Sequence, residues 1–339
     1  MSQTPLLGKT LEELQQICIS LGLPKFVAAQ LSDWLYKKRV CSFAEMTNLA
    51  KTTQATLAEH FSVGASLPQD MQISSDGTKK YLFPVGDNQY IESVMIPEQE
   101  RKTLCVSTQI GCKMGCSFCV TGTLGFHGNL TAGEIINQIR SVPESEALTN
   151  LVFMGMGEPF DNIDATLKSL HILTASWGFA MSPRRITVSS IGIIPAMKRF
   201  LEETECHLAI SLHTPFDEER QQLMPIQKAY PIKEVLEVIR SYDLGRQRRI
   251  SFEYILFKGL NDTPRHVKEL ARLLNGLRCR INLIRFHKSE HFNRESPDEK
   301  TITNFANQLN EKQLTTTIRA SRGEDISAAC GLLAIMNYE

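Results

Sequence analysis

The sequence lacks the features that mark membrane, secreted and disordered proteins. No stretch reaches the roughly 18 apolar residues that a membrane-spanning helix needs. The first residues show neither the basic start and apolar run of a secretory signal nor its small-residue cleavage site. Internal repeats and low-complexity tracts are absent, and 42% hydrophobic with 22% charged residues is typical of a globular protein. We therefore expect a cytoplasmic protein with a large buried core.

Net charge is also lacking, because 37 basic and 37 acidic residues cancel. A nucleic-acid partner would therefore have to be bound by local clusters of positive charge. Two such clusters contain Lys25, Lys37, Lys38 and Arg39, and Arg246, Arg248 and Arg249. Solvated helix faces have the same composition, so the clusters alone leave both interpretations open.

Nine cysteines are present, an odd number in a chain without a secretory signal. This argues against a disulfide framework and favours reduced thiols. Three of the nine lie within eight residues, in the segment GCKMGCSFCVTG.

The apolar pattern predicts helices between about residues 11 and 61, a linker over 62–78, and strands at 80–84, 89–96 and 103–107. Beyond residue 111, strands and helices alternate and make about six βα units. The predicted fold is α/β, a partial (βα)6 barrel with a small N-terminal helical domain and a short β-rich connector. The predicted domains are 1–65 (helical, accessory), 66–100 (linker and connector), 101–290 (partial barrel) and 291–339 (C-terminal extension). A last helix near 298–312, a strand at 315–319 and a short helix carrying Cys330 complete the prediction.

Cys112, Cys116 and Cys119 form a C-x3-C-x2-C motif in a loop that follows a predicted strand. Thiolates suit iron-sulfur clusters and zinc alike. Structural zinc sites prefer four ligands, usually in two separated pairs, whereas a single triplet leaves one iron of a 4Fe-4S cluster open. The motif favours the cluster, with structural zinc as the alternative.

With Phe118 before the third cysteine, this loop resembles that of the radical S-adenosylmethionine (SAM) enzymes, whose core is a partial barrel of six βα units. The segment FMGMGEP (153–159) ends a predicted strand, where α/β folds place their sites. The resemblance implies that Gly157 and Glu158 contact the amino end of SAM. Without the cysteines, this segment would be taken for an ordinary βα loop.

Along nearly its whole length the chain resembles a narrower family, the RNA adenosine methyltransferases of the RlmN and Cfr type. The matching segments include IESVMIP (91–97), TLCVSTQIGCKMGCSFCVTG (103–122), SPRRITVSSIGIIPA (182–196), LAISLHTP (208–215), INLIRF (281–286) and RGEDISAACG (322–331). So many segments in one order are hard to reach by chance.

The resemblance implies a mechanism with two SAM molecules per turnover. One SAM methylates Cys330, and the second, bound at the open iron, gives a radical that takes a hydrogen from the methylthio group. The carbon radical then adds to the adenine ring, and Glu92 removes the ring proton. Finally Cys105 forms a disulfide with Cys330 and releases the methylated RNA.

Other family positions that contact SAM match Ser189, Ser211, Leu212 and His213, although a structural role for His213 is a fair alternative. His287 stands where the family usually has asparagine, and it retains the capacity to hydrogen-bond. Ser190, Val120 and Leu332 are further departures from the common residues. They indicate a somewhat divergent member.

The expected partners are RNA (23S rRNA, with tRNA as a second candidate) and an electron donor such as flavodoxin or ferredoxin. The protein is expected to be a monomer. The resemblance implies that the N-terminal helices help to hold the RNA. Methylation at carbon 2 of adenosine is favoured by the proline of GMGEP, whereas LMPI and NLIR favour carbon 8. The alternative from another class is a non-catalytic, zinc-stabilised RNA-binding protein.

Overall fold

The computed structural model describes residues 3–86, 88–245, 248–288 and 291–333. Its strands are β1 (Thr4–Pro5), β2 (Phe61–Ser62), β3 (Asp70–Ile73), β4 (Lys79–Pro84), β5 (Tyr90–Glu98), β6 (Arg101–Cys105), β7 (Gln109–Gly111), β8 (Phe126–Asn129), β9 (Asn150–Phe153), β10 (Ile186–Ser190), β11 (His207–Ser211), β12 (Ile250–Leu256), β13 (Cys279–Arg285) and β14 (Thr316–Ile318). Its helices are α1 (Leu11–Ser20), α2 (Phe26–Ser32), α3 (Lys51–His60), α4 (Val120–Thr123), α5 (Ala132–Ser141), α6 (Ile163–Thr174), α7 (Ile194–Glu203), α8 (Asp217–Leu223), α9 (Ile232–Ser241), α10 (Pro264–Leu273) and α11 (Glu299–Glu311). None of the helices described is both long and apolar enough to cross a lipid bilayer.

Ten strands form one mixed sheet in the order β14-β13-β12-β11-β10-β9-β6-β5-β4-β3. From β6 to β14 every neighbouring pair is parallel, and helices connect successive strands. This confirms the six predicted βα units, with β14 as an additional strand. The connector strands β3, β4 and β5 continue the same sheet in antiparallel pairing.

The sheet curves into a partial barrel. Ile96 on β5 and Thr317 on β14 line the same cavity, although six other strands separate β5 from β14 in the sheet. Side chains alternate between the two faces of a strand, so every second residue points into the barrel. Strand β12, in the middle of the parallel part, is buried along its whole length, as expected for a strand covered on both faces.

Local signals in the sequence fix where the helices begin. Thr131 caps α5: its hydroxyl accepts a 3.2 Å hydrogen bond from the amide of Glu134, whose carboxylate accepts a 2.7 Å bond from the amide of Thr131. This reciprocal pair satisfies two amides that the first helical turn leaves without partners. It explains why the segment NLTAGEI turns from strand to helix.

The N-terminal helices pack directly on the barrel helices. The Arg140 guanidinium on α5 donates a 2.8 Å hydrogen bond to the carbonyl of Val40, and the Ser32 hydroxyl donates a 2.7 Å bond to the carbonyl of Trp177. A Cβ on Gly8 would lie 2.3 Å from the amide nitrogen of Gly133, so glycine is required where these two backbones meet.

Two sequence predictions were wrong. The expected linker over 62–78 contains β3, which forms one edge of the large sheet. The expected short helix carrying Cys330 is absent from the described residues: a single 3-10 turn spans Glu324–Ile326, and Cys330 lies in the turn that follows. Ser327, at φ +51°, ends the helical turn in the left-handed region.

Candidate active site

The cysteine triplet lies in a tight loop between β7 and α4. The amide of Cys112 donates to the carbonyl of Gly125 (2.8 Å), and the amide of Cys119 donates to the carbonyl of Cys116 (3.1 Å). Gly111 has φ +70°, and a Cβ there would lie 1.8 Å from the Gly125 carbonyl oxygen. Only glycine permits this approach, which turns the chain so that three thiols follow in close succession.

The three thiols line one cavity and interact electrostatically. Burial raises the pKa of Cys112 to about 12 and that of Cys116 well above its ordinary value. A negative charge on Cys119 would raise both pKa values further, and one on Cys112 would also raise that of Cys116. Both pKa shifts call for a positive group in the cavity, which a metal centre supplies. No three potential ligands among the described residues converge on a single ion. A cubane cluster takes one thiolate on each of three irons, so the donor set fits a 4Fe-4S cluster.

A buried arginine that the sequence pattern did not single out lies behind the cysteine loop. Arg220 on α8 is fully buried and donates 3.0 Å hydrogen bonds to the carbonyls of Ile191 and Ser211. Its charge opposes the rise in the pKa of Cys116. The Ser117 amide donates to the Leu223 carbonyl (3.0 Å), so the end of α8 is fastened to the loop. The only sequence signal was the position of Arg220 shortly before LMPI.

The same cavity contains the turn after β9. Gly157 has φ +96°, and a Cβ there would lie 2.5 Å from the Gln109 Cβ. The carboxylate of Glu158 accepts from the amides of Phe160 (3.0 Å) and Ile191 (3.1 Å). Burial nevertheless raises the pKa of Glu158 to about 7. A cationic amino group in the cavity would favour the ionised carboxylate.

Not all predicted SAM-contacting residues line this cavity, hereafter the cluster cavity. Ser189, Ser211 and His213 do. Leu212 is fully buried and lies outside the lining. His287 lines a different cavity, where its ring contacts the Ser321 hydroxyl (3.3 Å) and the Glu324 carboxylate (3.5 Å).

His213 is held in place from two sides. Its Nδ1 accepts a 3.0 Å hydrogen bond from the Ile255 amide, and the Phe118 ring lies edge-on at 4.8 Å. Burial lowers the pKa of His213 to about 3. The ring is therefore neutral with its proton on Nε2. Its contacts with Ile255 and Phe118 give it a structural role in the barrel.

The second cavity, the arginine cavity, has a volume of about 430 Å³ inside the barrel. Its lining includes Arg101, Arg249, Arg280, Arg285, Arg319 and Arg322. Within the described residues, Arg101, Arg249 and Arg280 have no carboxylate within 4 Å, and the pKa of Arg249 is lowered by burial and by the charges of the other two. These three lie at the starts of strands, at the mouth opposite the cysteine loop.

Cys330 lines both cavities. Cys105, on β6, is buried, and its pKa is raised to about 12 by burial and by the proximity of the Cys330 thiol. The positive charge of Arg319, which pairs with Glu253 at 3.5 Å, favours the thiolate of each cysteine. The structure therefore brings together Cys105, Cys330 and the cysteine triplet. All nine cysteines are free thiols.

Glu92 lies on the barrel-facing side of β5, the side that carries Val94, which pairs with Cys105. Its side chain is fully buried and forms an ion pair with Lys80 at 3.1 Å, a residue that is itself nearly buried. Glu92 lines neither cavity. The sequence pattern gave no reason to expect Lys80 as a partner, because cross-strand neighbours are far apart in sequence.

The residues of the two basic clusters lie in different surroundings. Lys37 and Lys38 both pair with Asp33, at 3.7 and 3.4 Å. Arg248 is buried and donates to the Leu201 carbonyl (2.9 Å), so it holds the barrel together. Arg246 lies outside the described residues. Of the second cluster, Arg249 alone is found lining the arginine cavity.

Two family models match the chain. One, of the radical SAM superfamily, covers residues 106–274, and the other, described as the ribosomal RNA large subunit methyltransferase N-terminal domain, covers residues 4–63. A crystal structure of a radical SAM methyltransferase from Sphaerobacter thermophilus superimposes with a TM-score of 0.92 at 40% identity, covering 97% of this chain and 99% of that one. The curved sheet, the cysteine loop and the match to the radical SAM superfamily together define a radical SAM enzyme.

Full-length relatives narrow the class. The probable dual-specificity RNA methyltransferase RlmN of Bacteroides thetaiotaomicron is 54% identical over 100% of this chain and 98% of its own. The dual-specificity RNA methyltransferase RlmN of Geobacter sulfurreducens is 43% identical over 96% and 91%. The chain belongs to the RlmN family of radical SAM RNA methyltransferases.

Proposed function

We propose that this protein methylates carbon 2 of an adenosine in 23S rRNA, with tRNA as a second substrate, through a methylated Cys330. The observation that carries the proposal is the position of Cys330 between two cavities. One cavity holds the cysteine triplet, and the other is lined by arginines. A thiol between them can accept a methyl group on one side and present it on the other.

The cluster cavity suits a 4Fe-4S cluster held by Cys112, Cys116 and Cys119, with SAM beside it. Glu158 would bind the SAM amino group, since its buried carboxylate has no cation beside it among the described residues. Ser189 and Ser211 offer hydroxyl groups to the same ligand. When bound, the reduced cluster supplies the electron that cleaves SAM to a 5′-deoxyadenosyl radical.

Cys330 first takes a methyl group from one SAM, and Cys105 later frees the product. The Cys105 thiolate attacks the Cys330 sulfur, a disulfide forms, and the electron pair of the broken carbon–sulfur bond goes to the modified base, which takes up a proton. Arg319 assists because its charge favours the attacking thiolate. An external reductant such as flavodoxin or ferredoxin would reduce the disulfide and the cluster.

Glu92 would remove the proton from the ring carbon, and the unpaired electron that radical addition leaves on the adduct would return to the cluster, which SAM cleavage has oxidised. Its ion pair with Lys80 holds the carboxylate in place inside the barrel. Glu92 lines neither cavity before RNA binds. The target adenine must therefore reach Glu92 through a local rearrangement of the residues that line the barrel.

The arginine cavity supports a polyanionic substrate. Arg101, Arg249 and Arg280 face one another at its mouth, and phosphate groups would relieve their mutual repulsion. Adenine, a flat base, can enter the cavity only when it leaves its stack, as enzymes that modify bases require.

Methylation at carbon 8, the reaction of the Cfr type, is the second candidate, supported by LMPI and NLIR in the sequence. The RlmN names of full-length relatives favour carbon 2. Mass spectrometry of nucleosides from 23S rRNA and tRNA, from cells with and without the active protein, distinguishes them. We expect 2-methyladenosine to depend on the protein. Protein-dependent 8-methyladenosine would favour the second candidate, and dependence of neither nucleoside would remove both.

A further inference from the structure

The loop that carries Cys330 is fastened to a hairpin turn far away in sequence. This turn, Ser74–Thr78, joins β3 to β4. The Ser74 hydroxyl donates a 2.5 Å hydrogen bond to one carboxylate oxygen of Asp325, and the Ser75 amide donates a 3.0 Å bond to the other. Asp325 lies five residues before Cys330, so the hairpin holds the segment that leads into the reactive thiol.

In a second set of contacts, the hairpin turn supplies the acceptor and the Cys330 loop supplies the donors. The amide of Gly323 donates a 3.0 Å hydrogen bond to Asp76, and the Arg322 guanidinium lies 3.9 Å from the same carboxylate. Although partial burial favours its protonated form, hydrogen bonds from Thr78 and Gly323 lower the pKa of Asp76 to about 2. Asp76 is therefore ionised at neutral pH and remains a strong acceptor.

The fit at this junction is close. Gly323 has φ +64°, and a Cβ there would lie 2.9 Å from the Thr78 side chain and 2.8 Å from Ala328. Thr78 is itself fully buried. On the far side of Cys330, the Thr121 hydroxyl donates a 2.6 Å hydrogen bond to the carbonyl of Leu333. Cys330 is thus held between two anchors.

We propose that the Ser74–Thr78 turn is a latch for the Cys330 loop, with Asp325 and Ser74 as positioning residues that keep the thiol at the boundary of the two cavities. The importance of this position rests on the proposed function of Cys330. The latch itself concerns only the position of the loop and does not depend on that function. Cys330 is exposed in the structure, so the latch sets the position of the thiol and does not shield it from solvent. When the latch is broken, the loop leaves this boundary more often and its backbone amides exchange with solvent faster.

Hydrogen exchange measures the latch without requiring methyl transfer. Cluster-loaded protein, shown by mass spectrometry to carry an unmodified Cys330, is diluted into D2O under anaerobic conditions, and deuterium uptake by the peptide that carries Cys330 is followed in time. We expect Asp325→Ala to raise the exchange rate of this peptide about tenfold, because two hydrogen bonds are lost. Ser74→Ala should raise it less, because the Ser75 amide still donates.

The matched control is Asp70→Ala. Asp70 lies on β3 of the same hairpin, and its carboxylate accepts from the amide of Met71 within that strand. In Asp70→Ala we expect the peptide that carries Cys330 to exchange at the same rate as in the parent protein. In a single turnover with labelled SAM, Asp325→Ala should slow methylation of Cys330 at saturating SAM and leave the SAM concentration for half-maximal rate unchanged.

An unchanged exchange rate of the peptide that carries Cys330, in both Asp325→Ala and Ser74→Ala, would overturn the latch. If Asp325→Ala fails to fold, Ser74→Ala and Asp325→Asn carry the test, since each retains part of the contact. Variants that exchange as expected, made in a parent protein that never methylates Cys330, would refute the proposed function and leave the latch standing.

Discussion

The amide of Val120 donates a 2.8 Å hydrogen bond to the carbonyl of Gly331. Val120 follows Cys119, the last cysteine of the triplet, and Gly331 follows Cys330. One backbone contact therefore fixes the loop of the cluster ligands against the loop of the candidate methyl acceptor. This contact explains how thiols more than 200 residues apart in sequence come to share one site.

The first prediction concerns the cluster ligands. Cys116→Ser should lose the brown colour and most of the roughly four irons per chain that anaerobically prepared protein should contain. Cys279→Ser is the control, because Cys279 lies on β13 outside both cavities. Iron analysis and visible absorbance provide the measurement. A colourless parent protein with stoichiometric zinc would contradict the cluster.

The second prediction concerns the turn after β9. Gly157→Ala should weaken SAM binding at least tenfold. The new methyl group would collide with Gln109, and the alanine backbone would have to adopt a strained positive φ. Gly259→Ala is a matched control: Gly259 also has a positive φ (+69°), but its Cβ would enter open space. Isothermal titration of both variants with SAM separates collision from backbone strain. Equal affinities in the two variants would argue against a close approach of the turn to SAM.

The third prediction concerns the buried ion pair. Glu92→Gln should leave Lys80 as an uncompensated buried cation and destabilise the protein by about 3–5 kcal/mol. It should also retain methylation of Cys330 and abolish methylation of RNA. Thermal unfolding and peptide mass spectrometry measure the two effects.

The double variant Glu92→Gln/Lys80→Met tests the interpretation of that result. Removing the cation should restore much of the stability without restoring RNA methylation. Recovery of RNA methylation in the double variant would show that Glu92 acts only through stability and is no catalytic base.

The fourth prediction concerns the mouth of the arginine cavity. Arg249→Glu and Arg280→Glu should weaken RNA binding and reduce the slope of log affinity against log salt by about 0.7–0.9 for each lost phosphate contact. Arg199→Glu is the control, since Arg199 is exposed on α7 and paired with Asp164 and Glu203. Fluorescence anisotropy with a labelled RNA over a range of salt gives the slope. An unchanged slope would place the RNA elsewhere.

The sequence predicted the parts of the fold that depend on local periodicity. The parallel strands differ from prediction by one or two residues at their ends, because buried β-branched runs between turns carry a strong signal. Strand β3 was missed because DMQI lies at the sheet edge, where polar and exposed side chains are tolerated. The segment around Cys330 resembled a helix through its alanines, but contacts with the hairpin turn determine its path.

The sequence pointed to those candidate site residues that lie close together along the chain. The triplet stood out by its spacing, and the FMGMGEP turn by its place after a predicted strand and by the resemblance to radical SAM enzymes. Contacts between residues far apart along the chain could not be recognised from the sequence. They are Lys80 beside Glu92, Arg319 beside Cys105 and Cys330, and Arg220 behind the cysteine loop. The cavity in which His287 lies likewise depends on the curvature of the sheet and on where the C-terminal loop crosses it.

The central claim, that two thiols divide the reaction between them, is tested most directly with Cys105→Ala and the substrate RNA. Without the Cys105 thiolate, the bond between Cys330 and the adenine cannot be released. We expect the variant to accumulate a protein–RNA adduct that mass spectrometry maps to Cys330, whereas Cys206→Ala, altered at a buried thiol on the barrel wall, should show none. Normal RNA methylation by Cys105→Ala, with no adduct, would contradict the account.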